Sequence, residues 1–217
     1  MSTERCISPC LDAGQSLRLL DGGRKGSMTD SIEQHLAQDV DLHFERMVRE
    51  YQDRLYAFAR RMTNQREDAE EIVQDAFVRA YRALKTYDAE RIRSLALRAW
   101  LYQITLNVAR NRARGKKHPT ESLSGEASDR HADPAEGPHE QLEASRRRAD
   151  LATLVAGLPS RYRAPLVLRY VEGLKLEEVA RILKQPLGTT KSNVHRAVNA
   201  LREAITQSRR EMRLNHA

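Results

Sequence analysis

The hydrogen-bonding side chains near the carboxyl end of the chain are of the types that contact DNA bases. In TTKSNVHRAVNALRE, at 189–203, apolar residues recur at three- and four-residue steps, which predicts a helix with one apolar and one polar face. A short helix predicted at 175–183 and the turn KQPLG precede it, an order typical of a helix-turn-helix, whose second helix lies in the major groove. The candidate DNA-binding residues are Thr189, Lys191, Ser192, Asn193, His195 and Arg196.

The chemistry of these side chains suits that role. Lys191 and Arg196 can bind guanine O6 and N7 or a phosphate. Thr189 is predicted to cap the helix, whose first free N–H groups can hold a phosphate. A solvated polar face is the simpler explanation of such a helix. Residues 144–217, however, contain 15 basic and 6 acidic residues, and this charge together with the motif favours DNA.

A second basic segment, at 94–114, is predicted to be a helix that ends in cations. Such a run can hold the backbone of a separated DNA strand. The candidate strand-binding residues are Asn107, Arg110, Asn111 and Arg114. Trp100 could stack on a base, but its helical spacing relative to Leu97 and Leu101 is at least as typical of core packing.

The elements that would position this segment are helices with continuous apolar stripes at 44–62 and 66–84. Asn64 and Glu67 have the spacing of a capping box for the second of them. KTYDAERIR, which precedes the basic helix, is predicted to be a loop. Three amphipathic helices of this size can bury one compact core.

A second group of helices is predicted at 144–157, 160–172, 175–183 and 189–203. Between the two groups the chain is rich in Pro, Gly and Ser and carries one basic and seven acidic residues. The predicted fold is therefore all-α, with two small helical domains joined by a flexible acidic linker. Its segments are a largely disordered extension at 1–43 with a short helix at 31–40, a first domain at 44–117, the linker at 118–143, a second domain at 144–206 and a tail at 207–217.

Composition excludes several other classes of protein. The chain has neither an apolar run long enough to span a bilayer nor a secretory signal, so no membrane partner and a cytoplasmic location are expected. Cys6 and Cys10 lie in a polar leader and are expected to be free thiols; a metal site completed by His35 or His43 is the less favoured alternative. No catalytic motif is visible, so we expect no enzyme activity, no metal and no cofactor.

Three motifs give the chain a clear resemblance to the bacterial extracytoplasmic-function sigma factors of RNA polymerase, in the sigma-70 family. They are EGLKLEEVARILKQPLGTTKSNVHRAVNALRE at 172–203, REDAEEIVQDAFVRAYRAL at 66–84 and RAWLYQITLNVARNRAR at 98–114. These resemble, in turn, the domain that reads the promoter −35 element, the helix that docks on the polymerase clamp and the −10 helix.

The resemblance implies the partners and the roles of residues. Core RNA polymerase would be bound at its β′ clamp and β flap, promoter DNA would be read at −10 and −35, and an anti-sigma factor would commonly hold such a protein. The implied polymerase-binding residues, placed on the outward face of their helix, are Asp68, Glu71, Gln74 and Asp75. The loop from Thr86 to Leu95 would capture a flipped-out −10 base.

The chain departs from the family pattern at four positions of the helix-turn-helix. Lys175 replaces a capping Ser, Lys184 a Gly at the end of a helix, Thr190 a Val and Asn193 an Arg. Two other classes stay open from the residues alone: a dimeric helix-turn-helix regulator that binds DNA by itself, and a helical bundle that sequesters a protein partner. A regulator would have a dimerisation or ligand domain in place of 44–117.

Overall fold

A computed structural model of the protein describes residues 31–63, 65–115 and 149–214, with side chains placed as far as 207. Every regular element among these residues is helical, so the prediction of an all-α chain is confirmed. The predicted linker at 118–143 and the leader at 1–30 lie outside the described residues. The helices on the two sides of that linker, at 31–115 and at 149–214, are called here the first and the second unit, and each is described by itself.

The first unit contains five helices. They are α1 (Ile32–Gln38), α2 (Val40–Thr63), α3 (Arg66–Leu84), α4 (Ala89–Arg93) and α5 (Leu97–Gly115). The long helices α2, α3 and α5 pack against one another around fully buried side chains, and the rings of Phe58 and Tyr102 meet edge to face at 5.2 Å. The short α1 packs on α2 and α4. This core holds α3 and α5, which carry two of the candidate surfaces.

The amino-terminal boundary of this unit is earlier than predicted. The short helix expected at 31–40 is confirmed as α1, and Ser31 and Gln34 form its capping box. The next helix begins at Val40 instead of 44, because the Asp39 carboxylate accepts hydrogen bonds from the backbone N–H groups of Asp41 and Leu42 at 2.8 and 3.1 Å. The cap, and not the first apolar residue, therefore sets where α2 starts.

Two further local predictions are wrong. The N-cap position of α3 is occupied by Gln65, which makes no side-chain capping bond, and the predicted cap Asn64 lies outside the described residues. The predicted loop before the basic helix contains α4, because Asp88 accepts a hydrogen bond from the backbone N–H of Arg91 at 2.7 Å and starts a helical turn. The basic helix α5 consequently begins at Leu97 instead of 94.

The second unit contains a helix at 149–157, here α6, followed by α7 (Ser160–Leu166), a π-helical turn (Val167–Val171), α8 (Leu176–Leu183) and α9 (Leu187–Leu214). Leu158, Leu166 and Ala197 form a buried cluster against which Tyr162 and Leu201 pack. This cluster joins α7 to α9 and so fixes the helix that carries the candidate DNA-binding residues. Residues 144–148 of the predicted first helix lie outside the described residues.

Helix α9 is longer than predicted at both ends. It begins at Leu187, directly after Pro186, whose carbonyl accepts the N–H of Thr190 at 3.0 Å. Pro186 thus lies immediately before the helix, where the missing proline N–H removes no hydrogen bond of the helix. The helix then continues to Leu214 through Arg, Glu, Met and Leu, which favour helices, so most of the predicted tail at 207–217 is helical.

Candidate nucleic-acid interface

The first turns of α9 present a polar strip, which we define as Thr189, Lys191, Ser192, His195 and Arg196. All five side chains are exposed. The inward positions between them are taken by Val194, Ala197 and a fully buried Thr190, whose hydroxyl donates to the carbonyl of Pro186 at 3.2 Å. The structure thus brings these predicted DNA-binding residues together on one helix face.

On α9 one predicted residue is less exposed than the others, and one predicted cap is wrong. Asn193 is half-buried and lies at the edge of the polar strip. Thr189 does not cap the helix, because α9 begins at Leu187 and Thr189 falls within its first turn. Thr189 is exposed in the turn whose first N–H groups have no partner within the helix, and such groups can hold a phosphate.

The turn that orients α9 is a Schellman motif at the end of α8. The N–H of Lys184 donates to the carbonyl of Arg181 at 3.1 Å and the N–H of Gln185 to that of Ala180 at 2.9 Å. This pattern requires a left-handed residue, and Lys184 has φ = 53°. Lys184 therefore adopts the left-handed conformation that favours glycine.

Lys184→Gly should raise the free energy of unfolding of the second unit by about 0.5–1 kcal/mol. The left-handed conformation costs a non-glycine residue about 1–2 kcal/mol, and the greater freedom of an unfolded glycine offsets part of that gain. Chemical denaturation followed by circular dichroism measures the change. Arg202→Gly, in the interior of α9, is the control and should lower stability by about 1 kcal/mol. A loss of stability in both variants would contradict the proposed relief of strain.

The start of α8 keeps half of a capping box although Lys175 lacks a capping side chain. The Glu178 carboxylate accepts the backbone N–H of Lys175 at 2.7 Å, and the Lys175 carbonyl accepts that of Val179 at 3.0 Å. Glu177 and Glu178 also place negative charge in the first turn, where the helix dipole favours it. These contacts compensate in part for the missing serine.

The basic end of α5, which we define as Arg110, Asn111 and Arg114, is a second candidate surface. Asn111 and Arg114 are exposed, whereas Arg110 and the predicted residue Asn107 are half-buried. Burial lowers the pKa of Arg110, and the neighbouring charge of Arg114 lowers it further. Like charges one turn apart repel each other, and a bound phosphate would relieve that repulsion. The arrangement suits a DNA backbone.

The segment before α5 is packed against the core. The Arg91 guanidinium lies 3.7 Å from the centre of the Tyr87 ring, and that ring lies 6.1 Å from the Trp100 ring. Trp100 is 1% exposed, so its ring belongs to the core and cannot stack on a base in this conformation. The buried Tyr87 hydroxyl and Gln103 side-chain oxygen have no hydrogen-bond partner among the described residues. Sequence reasoning missed these two groups.

On α3 the structure exposes Glu71, Gln74 and Asp75, which we define as the docking face. Asp75 forms an ion pair with Arg79 at 2.9 Å. Placing Asp68 on this outward face was wrong: it is 7% exposed and its carboxylate accepts a hydrogen bond from Arg112 Nε at 2.9 Å. The reason is its position four residues before the buried Ile72, on the same side of the helix.

The described residues give no sign of a metal centre or a membrane span. No group of three or more potential metal ligands occurs within them, and Cys6 and Cys10 lie outside the described ranges. The rings of His35 and His43 meet edge to face at 4.9 Å. Of the helices described, none is long and apolar enough to cross a membrane.

Comparison with known proteins gives matches over both units. Residues 47–118 match the family model for Sigma-70 region 2, and residues 148–201 match that for Sigma-70, region 4. The RNA polymerase sigma-H factor of Pseudomonas aeruginosa is 30% identical over 175 residues, 77% of this chain and 89% of that protein. The ECF RNA polymerase sigma factor SigW of Bacillus subtilis is 32% identical over 163 residues, 71% and 84% of the two chains.

A solved structure shares the fold. The sigma factor RpoE from Bartonella quintana, in a co-crystal with the anti-sigma factor NepR, superimposes with a TM-score of 0.58 at 23% sequence identity. The match covers 75% of this chain and 96% of that one. The similarity therefore extends over nearly the whole of the solved chain.

Proposed function

Because the chain belongs to the extracytoplasmic-function sigma factors of the sigma-70 family, we propose a surface of its structure for each step that such a factor carries out. Its function is to bind core RNA polymerase and direct it to promoters. The steps to be assigned are docking on the polymerase, reading of the −10 and −35 elements, and assistance in melting the promoter.

Docking is assigned to the docking face of α3. Glu71, Gln74 and Asp75 are exposed and offer two carboxylates and an amide for hydrogen bonds to the β′ clamp. Glu71 also pairs with Arg112 and Asp75 with Arg79, each through one carboxylate oxygen, and a carboxylate has two oxygens that can accept hydrogen bonds. Asp68 is not assigned to docking, because its carboxylate is buried and accepts a hydrogen bond from Arg112 of α5. In the second unit, contact with the β flap is expected from the family resemblance, and no residue is assigned to it.

Reading of DNA is divided between the two units. The basic end of α5, with Asn107, would hold the separated strand at the −10 element, beside the packed segment that contains Tyr87 and Arg91. The polar strip of α9 would enter the major groove at the −35 element, with Lys191 and Arg196 as the residues that contact bases or phosphates.

Other properties of the chain follow from this assignment. The chain would perform no bond chemistry, since catalysis belongs to the polymerase, and it would work in the cytoplasm, where bacterial transcription takes place. The co-crystal of RpoE with NepR is a precedent for an anti-sigma partner, and we expect one here.

One observation carries the proposal against the two other classes of protein. The first unit has an exposed, polar docking face on α3 and a basic end on α5 within one small helical core. A regulator that binds DNA as a dimer would need neither surface. A sequestering bundle would not need the polar strip of α9.

Run-off transcription with purified core polymerase on a library of genomic fragments tests the function. We expect new, discrete transcripts when the protein is added, and their loss with the double variant Gln74→Ala/Asp75→Ala. Glu45→Ala is the matched control, because Glu45 pairs with Arg49 one turn away on α2 as Asp75 pairs with Arg79 on α3. No stimulation, together with binding to a DNA site without polymerase, would show that the chain is a conventional regulator.

A further inference from the structure

Arg112 lies within the basic segment at the end of α5, but its side chain is directed at α3. Its Nε donates a hydrogen bond to Asp68 Oδ1 at 2.9 Å, and an Nη group of the same guanidinium pairs with the Glu71 carboxylate. The partners are separated by about forty residues of sequence, so no local spacing reveals the contact. Arg112 therefore joins the helix with the docking face to the helix with the basic end.

The contact with Asp68 is hard to break. The Asp68 side chain is 10% exposed, compared with 30% for Arg112 and 57% for Glu71. A carboxylate withdrawn from water loses more free energy when its hydrogen-bond partner is removed than an exposed one does. A guanidinium also has several donors in one plane and can bind two carboxylates at once, which a lysine ammonium does with less directional control. The bridge thus fixes the orientation of Arg112.

The orientation of Arg112 is linked by helical geometry to the directions of its neighbours Arg110 and Arg114. Successive residues of an α-helix are about 100° apart, so Arg110 and Arg114, two residues before and after Arg112, lie about 160° away from it around the helix. When Arg112 is directed at α3, those two side chains are directed away from α3. The buried residues of α5 end at Ala109, so the bridge at Arg112 is the contact with α3 that holds the last turns of the helix and the direction in which the basic end presents its charge.

We propose that Arg112 is a positioning residue for promoter opening. Held by Asp68 and Glu71, it keeps the basic end of α5 in a fixed orientation relative to the docking face of α3. The DNA strand is then held at a defined place relative to the docked polymerase. The inference rests on the proposed function, because the roles of the docking face and of the basic end are assigned there. The alternative for Arg112, which the sequence suggests, is direct contact with a DNA phosphate.

The test uses the full-length protein with core polymerase and a promoter found by the run-off experiment. Affinity for core polymerase, the rate of open-complex formation and the salt dependence of open-complex formation are measured for each variant. The variants are Arg112→Gln, Asp68→Asn and the double variant, and Arg112→Lys tests partial rescue. Arg49→Gln is the matched control, since it removes an equal charge from an exposed ion pair on α2.

Arg112→Gln should slow open-complex formation about tenfold or more, because it removes the charge-assisted contacts with both Asp68 and Glu71. Affinity for core polymerase should stay within about twofold of wild type. The slope of log open-complex formation against log salt concentration should not change, because no contact with a DNA phosphate is lost. Asp68→Asn should have a smaller or equal effect, because it leaves the pair between Arg112 and Glu71 in place. The double variant should be no worse than Arg112→Gln alone, since Arg112→Gln already removes the contact with Asp68. Arg112→Lys should lie between Arg112→Gln and wild type.

Other results would overturn the inference in distinguishable ways. A salt slope lower by about one, with additive effects of Arg112→Gln and Asp68→Asn, would make Arg112 a direct phosphate contact. An equal loss of polymerase affinity and opening would show that the bridge only stabilises the unit. Opening at the wild-type rate would show that the bridge has no role. If the wild-type protein gives no promoter-specific transcript, the proposed function fails, and this inference fails with it.

Discussion

Replacing both Lys191 and Arg196 with alanine should lower the affinity of the polymerase-bound protein for its −35 element by about 30-fold or more. A well-aligned contact with a base edge discriminates by about 1–3 kcal/mol, and two such contacts are removed. Both side chains are exposed, while the packing of α9 on its unit depends on Thr190, Val194 and Ala197 on the opposite side. The loss should therefore occur without unfolding of the second unit.

The measurement compares transcription from a promoter with an intact −35 element and from the same promoter with that element scrambled. Wild-type protein should distinguish the two promoters, and the double variant should transcribe both at the same low level. Arg202→Ala is the control, since Arg202 is exposed on the same helix but lies outside the polar strip. Discrimination that survives in the double variant, or is lost equally in the control, would contradict the assignment of α9.

The polar strip of α9 could be predicted because the signal is local. Its inward and outward residues alternate with the period of a helix, and this period is visible within a single stretch of sequence. The start of the helix was misjudged because KQPLG contains Pro and Gly, which are typical of turns. In the structure Pro186 precedes the first helical residue, and Gly188 lies in the first turn.

The misplacement of Asp68 shows the limit of residue type as a guide to exposure. Its spacing from Ile72 is that of a buried position, but aspartate is seldom buried without a partner. That partner, Arg112, is on another helix, and only the packing of α3 on α5 brings the two together. The bridge could not be predicted, because the sequence around Asp68 does not indicate which residue of another helix contacts it, and the same holds for Arg112.

Helix α4 was missed for a different reason. Five residues are too few to show a helical period, so the sequence predicts a loop there. A usable signal was nevertheless present: Asp88 is a residue type common at helix starts, and it does cap α4. The function, by contrast, could be predicted only from the resemblance of three motifs to a known family. Polar helix faces of this kind occur in many classes of protein and do not indicate a function by themselves.

Trp100→Ala should lower the free energy of unfolding of the first unit by about 3–5 kcal/mol, the cost of removing a large aromatic side chain from a packed core. Trp100 is 1% exposed and its ring lies beside that of Tyr87, so its removal would leave a cavity within the core. A small domain has a total stability of about 5–15 kcal/mol. The variant should therefore unfold the first unit partly or completely at physiological temperature.

Chemical denaturation distinguishes the core role of this residue from the base-stacking role that its sequence also suggests. Trp100 is the single tryptophan of the chain, so its fluorescence follows the first unit in the wild-type protein, and circular dichroism must follow the variant. Tyr170→Ala, at a side chain that is 64% exposed in the second unit, should change stability by less than about 0.5 kcal/mol. If Trp100→Ala left the unfolding midpoint unchanged but abolished promoter opening, the ring would have to leave the core to bind DNA. Its close packing against Tyr87 argues against that movement, because the vacated cavity would cost about as much free energy as the mutation.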